Sequence, residues 1–163
     1  MQYTNRYESP LGRITLAADE IGLTGLWFAG QKYDTLYLDR EHEEKDLPVF
    51  AQAKKWLNLY FSGKEPDFRP PLHLIGSAFQ KEVWERLCQI PYGQTTTYGA
   101  IARRLAEKKG LAKMSAQAVG GAVARNPISV IVPCHRVVGA DGKLTGYAGG
   151  LDKKTALLRL EQR

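Results

Sequence analysis

A cysteine and a histidine lie side by side in the sequence Pro133-Cys134-His135-Arg136, directly after the largely apolar run 128–132. A thiol at the end of a buried strand, with an imidazole next to it, is typical of a cysteine nucleophile, because the thiolate attacks and a basic neighbour lowers the pKa of the thiol. Adjacent side chains of an extended strand point to opposite faces, so His135 can serve Cys134 only if the backbone turns there or a water molecule intervenes. The pattern predicts a nucleophilic Cys134, with a buried structural cysteine as the alternative.

Charge is distributed unevenly along the 163 residues. Segment 1–76 contains 9 Lys and Arg against 11 Asp and Glu, a net charge of −2, whereas segment 77–163 contains 14 against 6, a net charge of +8. Segment 98–125 holds six cations and one acid, Glu107. The imbalance predicts a polyanionic partner for the second half, such as the phosphate backbone of DNA, although a solvated helix face would carry the same charges.

Only two cysteines are present, Cys88 and Cys134, and they do not stand at a metal-ligand spacing. We therefore expect no metal and no cofactor. The chain opens without a secretory signal or a long apolar stretch, which favours a cytoplasmic protein that does not bind membranes. A reducing compartment also fits, since a disulfide would remove the nucleophile.

Cys134 stands within an ordered set of short motifs. These are Val119-Gly120-Gly121-Ala122, Asn126-Pro127, Pro133-Cys134-His135-Arg136-Val137-Val138 and Gly146-Tyr147-Ala148-Gly149-Gly150. By this set and its spacing the chain resembles the O6-alkylguanine-DNA alkyltransferases, the self-inactivating DNA repair proteins also called methylated-DNA–protein-cysteine methyltransferases. The likeness is dense over residues 79–161 and thin before them. It implies a monomer that acts on double-stranded DNA containing O6-alkylguanine, with O4-alkylthymine as a second candidate substrate.

The resemblance implies a set of reacting groups. Cys134 would accept the alkyl group from O6 of guanine by in-line displacement, and the stable thioether would consume the protein in one turnover. His135 would be the general base, acting through a water molecule, and Glu161 would orient and charge the imidazole. Tyr98 would help to rotate the target nucleotide out of the duplex and donate a hydrogen bond to the flipped base. Asn126 would fix the turn behind the cysteine.

The resemblance also implies a substrate pocket and a DNA surface. The pocket residues would be Tyr147, Ala148 and Gly149, in the loop over the flipped base, together with Val137. The helix that enters the minor groove would carry Gln117, Ala118 and Gly120, and the cations on the DNA side would be Arg103, Lys113 and Arg125. Two positions depart from the family pattern. Gln117 replaces an intercalating arginine, which predicts weaker filling of the gap in the duplex, and Ala148 replaces a common serine.

The elements that must position these residues follow from turn signals and periodicity. Residues 1–29 form β-rich runs broken by turns, which predicts an antiparallel hairpin or three-stranded sheet. An apolar stripe over residues 49–61 predicts a helix ended by Gly63, and the proline-containing segment 64–76 predicts a linker. Nothing in this half of the chain suggests chemistry.

The second half is predicted to be helical. Ser77 begins a capping box for a helix that the turn 91–93 ends. Thr97 and Ser115 each cap a further helix, and two helices joined by a turn in a basic segment predict a helix-turn-helix. The second of these helices, 116–124, consists almost entirely of small residues. Such a bare surface indicates close approach to another backbone, either a packed helix or DNA.

These observations define the fold class as α+β. A small N-terminal antiparallel sheet with a helix, ribonuclease-H-like by resemblance, would occupy residues 1–76, and a mainly helical C-terminal domain would occupy 77–163. Three other functions remain open. An alkyltransferase-like protein binds damage without repairing it but lacks the thiol, a cysteine hydrolase would regenerate its thiol, and a basic structural DNA binder would not need Cys134.

Overall fold

The first half of the chain folds as a four-stranded sheet. The computed structural model describes residues 1–31, 38 and 41–162. The strands are β1 (Gln2–Ser9), β2 (Gly12–Ala18), β3 (Leu23–Phe28) and β4 (His42–Glu44). The first three form an antiparallel meander, and β4 pairs in parallel with β1, which gives the order β3-β2-β1-β4. The predicted three-stranded sheet is therefore confirmed, and β4 is an addition that its exposed, charged residues did not suggest.

One helix, α1 (Pro48–Phe61), packs against this sheet. Proline suits its first turn, because the amide at that position has no partner within the helix. The buried face of α1 consists of Phe50, Ala53, Trp56, Leu57 and Tyr60. Their spacing of three and four residues is the predicted helical stripe, and its burial builds the N-terminal part of the core.

The edge of β3 is paired by backbone from elsewhere in the chain. Leu23 N donates to Pro71 O (2.8 Å) and His73 N donates to Leu23 O (2.7 Å), so the segment predicted as a linker runs along the sheet. Further along the strand, Leu26 N donates to Pro127 O (2.9 Å). All six residues of β3 are buried, and these bonds satisfy polar groups that would otherwise lack partners. Buried apolar residues of both halves form one cluster, and the predicted domain boundary stays a prediction.

The second half of the chain is mainly helical. Its elements are α2 (Ala78–Leu87), β5 (Thr96–Thr97), α3 (Tyr98–Lys109), α4 (Ala116–Ala124), β6 (Val137–Val138) and α5 (Leu151–Glu161). All three predicted caps are confirmed, since the side chains of Ser77, Thr97 and Ser115 each accept a backbone amide three residues ahead at 3.0–3.1 Å. No helix in the described ranges has the length and apolar character needed to span a membrane.

The predicted helix-turn-helix is present. Helices α3 and α4 pack on each other and α2 packs against both, with Trp84 Nε1 donating to Ala122 O at 2.9 Å. A Cβ atom added at Gly120 or Gly121 of α4 would lie 3.7 or 3.8 Å from the nearest side chain, which is ordinary van der Waals contact. Packing among the described residues therefore does not require either glycine.

Candidate active site

The run that precedes Cys134 is turned, and the prediction of a strand there is wrong. Residues 128–132 make only one bridge to β3, at Ile128, and then bend back. Val130 has φ +69°, a left-handed conformation that is strained for a β-branched residue. After Pro133, residues Cys134–Arg136 form a single 3-10 turn, so the turn required between the thiol and the imidazole is present.

Asn126 holds the backbone of this turn. Its Nδ2 donates to Val132 O (2.8 Å) and to Ile128 O (3.3 Å), and its Oδ1 accepts from Ile128 N (3.0 Å). All three residues are buried, so the side-chain amide satisfies backbone groups that strand pairing would otherwise bind. The run bends because a single buried amide takes the place of a neighbouring strand.

Glu161, at the end of α5, is the centre of a buried hydrogen-bond network. Its Oε2 accepts from His135 Nε2 (2.6 Å), Tyr60 OH (2.6 Å) and Arg136 Nη2 (3.1 Å). Its Oε1 accepts from Arg136 Nε (2.8 Å) and Gly93 N (3.0 Å). Burial opposes ionisation, but the hydrogen bonds from His135, Arg136 and Tyr60 outweigh it and lower the pKa of Glu161 to about 2. Glu161 is therefore a carboxylate at neutral pH.

The carboxylate determines which nitrogen of His135 carries the proton. Because ionised Glu161 can only accept, Nε2 is the protonated nitrogen of the neutral ring. The other nitrogen, Nδ1, is buried and has no hydrogen-bond partner among the described residues. Burial lowers the pKa of His135 more than the hydrogen bond and the charge of Glu161 raise it. At pH 7 the imidazole is neutral, with a free lone pair on Nδ1.

Cys134 is a buried thiol that is protonated at rest. Burial raises its pKa to about 11, while the Asn126 side chain and the Lys154 ammonium lower it. The low thiol pKa expected from the Cys-His pair is wrong for the resting protein, because burial destabilises the thiolate more than its neighbours stabilise it. A base must therefore remove the thiol proton as the sulfur reacts.

Cys134 lines a cavity of about 780 Å³. Its other walls come from Tyr98 at the start of α3, from Gln117 and Gly120 on α4, and from the loop 145–148. A volume of this size is within the range of pockets that bury small organic ligands. No three metal-ligating side chains come together within residues 1–31, 38 and 41–162.

Two of the four predicted pocket residues do not line this cavity. Tyr147 and Ala148 do so, but Val137 is fully buried in β6, where it pairs with Thr96. Gly149 instead lies against Tyr147 and Phe28, and a Cβ atom there would come within 2.9 and 3.1 Å of their rings. Val137 is thus part of the buried sheet pairing, and Gly149 is required by tight packing against two aromatic rings.

The seven predicted DNA-binding residues lie in the segment 98–125, which contains α3 and α4, and four of them are exposed. The exposed members are Gln117 and Ala118 on α4, Arg103 on α3 and Lys113 in the turn between the helices. Gly120 lines the cavity. Arg125 is half-buried, and its Nη1 donates to Gly121 O at 3.2 Å, so it binds the end of α4.

Two residues of this site were not predicted from the sequence. Lys154 is fully buried on α5, and its Nζ donates to Val137 O and Thr145 O at 2.7 Å each. It lies seven residues before Glu161 on the same helix face, and that spacing was the available signal. Tyr60 appeared to be one more apolar member of the α1 stripe, and nothing in the sequence directs its hydroxyl to Glu161.

Comparison with known proteins covers nearly the whole chain. Residues 2–74 match the family model of the 6-O-methylguanine DNA methyltransferase ribonuclease-like domain, and residues 78–163 match that of the DNA-binding domain. The chain is similar to the methylated-DNA–protein-cysteine methyltransferase of Methanosarcina mazei, with 47% identity over 98% of this chain and 97% of the relative. The Mycobacterium bovis protein of the same name is 46% identical over 95% and 89%.

Solved structures agree with the sequence comparison. The crystal structure of Mycobacterium tuberculosis OGT in complex with DNA superposes with a TM-score of 0.83 and 44% identity, covering 98% of this chain and 92% of the other. With both halves matched in order and the whole fold shared, the chain belongs to the O6-methylguanine-DNA methyltransferase family.

Proposed function

We propose that this protein repairs DNA by moving the alkyl group of O6-alkylguanine irreversibly to Sγ of Cys134. The observation that carries the proposal is a protonated thiol on a cavity large enough for a base, followed in the sequence by a neutral imidazole whose Nδ1 is unpartnered among the described residues. The names of the similar proteins describe the same activity, and one of their structures contains DNA.

The chemistry follows from the protonation states. The Cys134 sulfur attacks the alkyl carbon, a C–S bond forms, and the electron pair of the broken C–O6 bond passes to the guanine. The thiol proton moves to His135 Nδ1 through a water molecule, and Glu161 stabilises the resulting imidazolium from Nε2. The guanine anion takes up one proton from solvent and the imidazolium returns its own proton to solvent, so the products are neutral guanine, a neutral imidazole and a thioether. Water does not displace a thiolate from the alkyl carbon of a thioether at neutral pH, so Cys134 is not regenerated and the protein acts once.

Tyr98 can assist departure of the guanine. Thr145 Oγ1 donates to Tyr98 OH at 3.2 Å, so the phenolic proton of Tyr98 stays available for the flipped base. A base inside the stack cannot present its O6 substituent to a buried thiol, and extrusion costs a few kcal/mol. Hydrogen bonding to the extruded base offsets part of that cost.

The surface of α4 supports approach from the minor groove. Neither Gly120 nor Gly121 is required by packing inside the chain, which favours an external backbone as the reason for the bare surface. Arg103 on α3 and Lys113 in the turn before α4 are exposed and would contact phosphates, which contribute affinity without sequence preference. Gln117 would fill the gap that the flipped nucleotide leaves.

The remaining expectations follow from the thiol. Cys88 and Cys134 are both free, and a reducing cytoplasm is the compartment that keeps Cys134 reactive. A binding protein without transfer would not need the thiol, and a hydrolase would need a way to release the alkyl group from sulfur. Action as a monomer stays a prediction.

Mass spectrometry of the protein after exposure to duplex DNA with O6-methylguanine tests the assignment. We expect one methyl group on the peptide that contains Cys134 and none on Cys88. Cys134→Ser should remain unmodified while it still binds the duplex, and Cys88→Ser should react like the parent protein. Methylation at Cys88, or at neither cysteine, would overturn the proposal.

A further inference from the structure

The N-terminal half contributes one hydroxyl group to the active site. Tyr60 is fully buried on α1, and its OH donates to Glu161 Oε2 at 2.6 Å and lies 3.4 Å from His135 Nε2. Its ring stacks on Trp56 at 5.2 Å and meets Tyr92 edge to face at 6.2 Å. Aromatic neighbours on two sides therefore hold the hydroxyl in one position.

The hydroxyl and the imidazole share a single oxygen. Burial raises the pKa of Tyr60, so the phenol keeps its proton and can only donate to the carboxylate. The Nε2–H of His135 donates to the same Oε2 at the same distance of 2.6 Å. Two donors on one oxygen compete for its charge, so Tyr60 weakens the pull of Glu161 on the proton of His135.

We infer that Tyr60 is a positioning residue for alkyl transfer, which acts through Glu161 and moderates the basicity of the His135 imidazole. The inference rests on the proposed function, in which His135 takes the thiol proton. It gives a role in the reaction to α1, in the half of the chain where the sequence suggested no chemistry. The hydroxyl acts only through Glu161 and His135 and does not contact the reacting atoms.

The effect of removing the hydroxyl has a definite sign. Without Tyr60 OH, more of the charge on Oε2 is available to Nε2–H, the imidazolium is stabilised, and the pKa of His135 rises. His135 must be neutral to accept the thiol proton. The acid limb of the pH–rate profile for transfer therefore moves to higher pH. Tyr60→Phe retains the other ionisable groups around Tyr60 and His135. These are Glu161, Arg136, Lys154, Cys134, Tyr92 and Tyr147.

The test compares Tyr60→Phe with the parent protein and with Tyr7→Phe. Tyr7 is the matched control, because its OH also bonds a side chain, Asn58 of α1 (2.6 Å), but at the exposed surface. Single-turnover methyl transfer from O6-methylguanine duplex is measured from pH 5 to pH 9, with duplex affinity and thermal unfolding alongside. Histidine 15N NMR without DNA follows the titration of His135.

We expect Tyr60→Phe to move the acid limb and the His135 titration upward by up to about one pH unit, with transfer on that limb slower by about tenfold. Duplex affinity and the behaviour of Tyr7→Phe should match the parent. If Tyr60→Phe leaves both the acid limb of the pH–rate profile and the titration of His135 unchanged, the inference is wrong, whether or not the unfolding temperature falls. If the parent protein itself takes no methyl group on Cys134, the proposed function fails, and the role of Tyr60 in transfer fails with it.

Discussion

Replacing Glu161 by glutamine removes the charge on which both the stability and the reactivity of the site depend. The pKa of this carboxyl is lowered from 4.5 to about 2, because the donors of His135, Arg136 and Tyr60 favour its ionised form. A depression of about 2.5 units corresponds to about 3 kcal/mol of stability. Since the pKa of the folded state is the lower one, this stability is complete above about pH 5 and is lost as pH falls toward 2.

The assay is urea unfolding of the parent and of Glu161→Gln at pH 7 and at pH 3. At pH 3 the parent should have lost about 2 kcal/mol of this contribution, so the difference between the two proteins should shrink by that amount. Glu8→Gln is the control, because Glu8 pairs with Arg13 at the exposed surface (3.0 Å), where ion pairs contribute at most about 1 kcal/mol.

The same substitution tests the mechanism. Glutamine cannot stabilise an imidazolium by charge, and its amide can present a donor to His135 Nε2 and so reverse the ring tautomer. Loss of the equivalent orienting carboxylate slows serine proteases by about 10⁴. We expect transfer by Glu161→Gln to fall by at least about 10² with duplex affinity retained. Equal stability differences at pH 7 and pH 3, or transfer at the parent rate, would show that neither stability nor reactivity depends on the charge of Glu161.

Three further predictions concern the pocket wall and the DNA surface. Lys154→Met leaves the carbonyls of Val137 and Thr145 without their buried donor and should destabilise the protein in urea by about 2–4 kcal/mol, whereas Lys153→Met should change little. Reversing Arg103 and Lys113 to glutamate should weaken binding to every duplex alike and flatten its salt dependence, and unchanged affinity would remove the helix-turn-helix from the interface. Gln117→Arg should speed repair of duplex O6-methylguanine and leave reaction with the free alkylated base unchanged, and equal changes in both rates would mean that position 117 does not fill the gap.

Local signals in the sequence predicted the elements well. The caps at Ser77, Thr97 and Ser115 and the stripe of α1 depend on neighbours within one or two turns, so spacing alone identifies them. The pairing of β3 with residues 71–73 and 127–129 depends on chain segments far apart in sequence, and no local pattern records it. For the same reason β4, three residues long, was not foreseen.

For the active site, too, the sequence predicted the residues that lie close together in the chain and missed contacts between distant ones. The motif around Cys134, His135 and Asn126 is contiguous enough to be recognised, and the resemblance added Glu161. The contact of Tyr60 with Glu161 joins residues 101 positions apart and depends on tertiary packing. The sequence did not predict the protonation states of Cys134 and His135. Burial has the largest effect on the pKa of each group and opposes the effect of the neighbouring hydrogen bonds.

The stoichiometry of transfer distinguishes a protein that is consumed in one turnover from an enzyme that regenerates its thiol. The protein is mixed with an excess of duplex that contains radiolabelled O6-methylguanine, and label on protein and in solution is followed to completion. One label should be bound per protein molecule, all of it on Cys134, after which the reaction stops with the excess substrate intact. Continued loss of O6-methylguanine with release of the label into solution would contradict the account and indicate a hydrolase that regenerates its thiol.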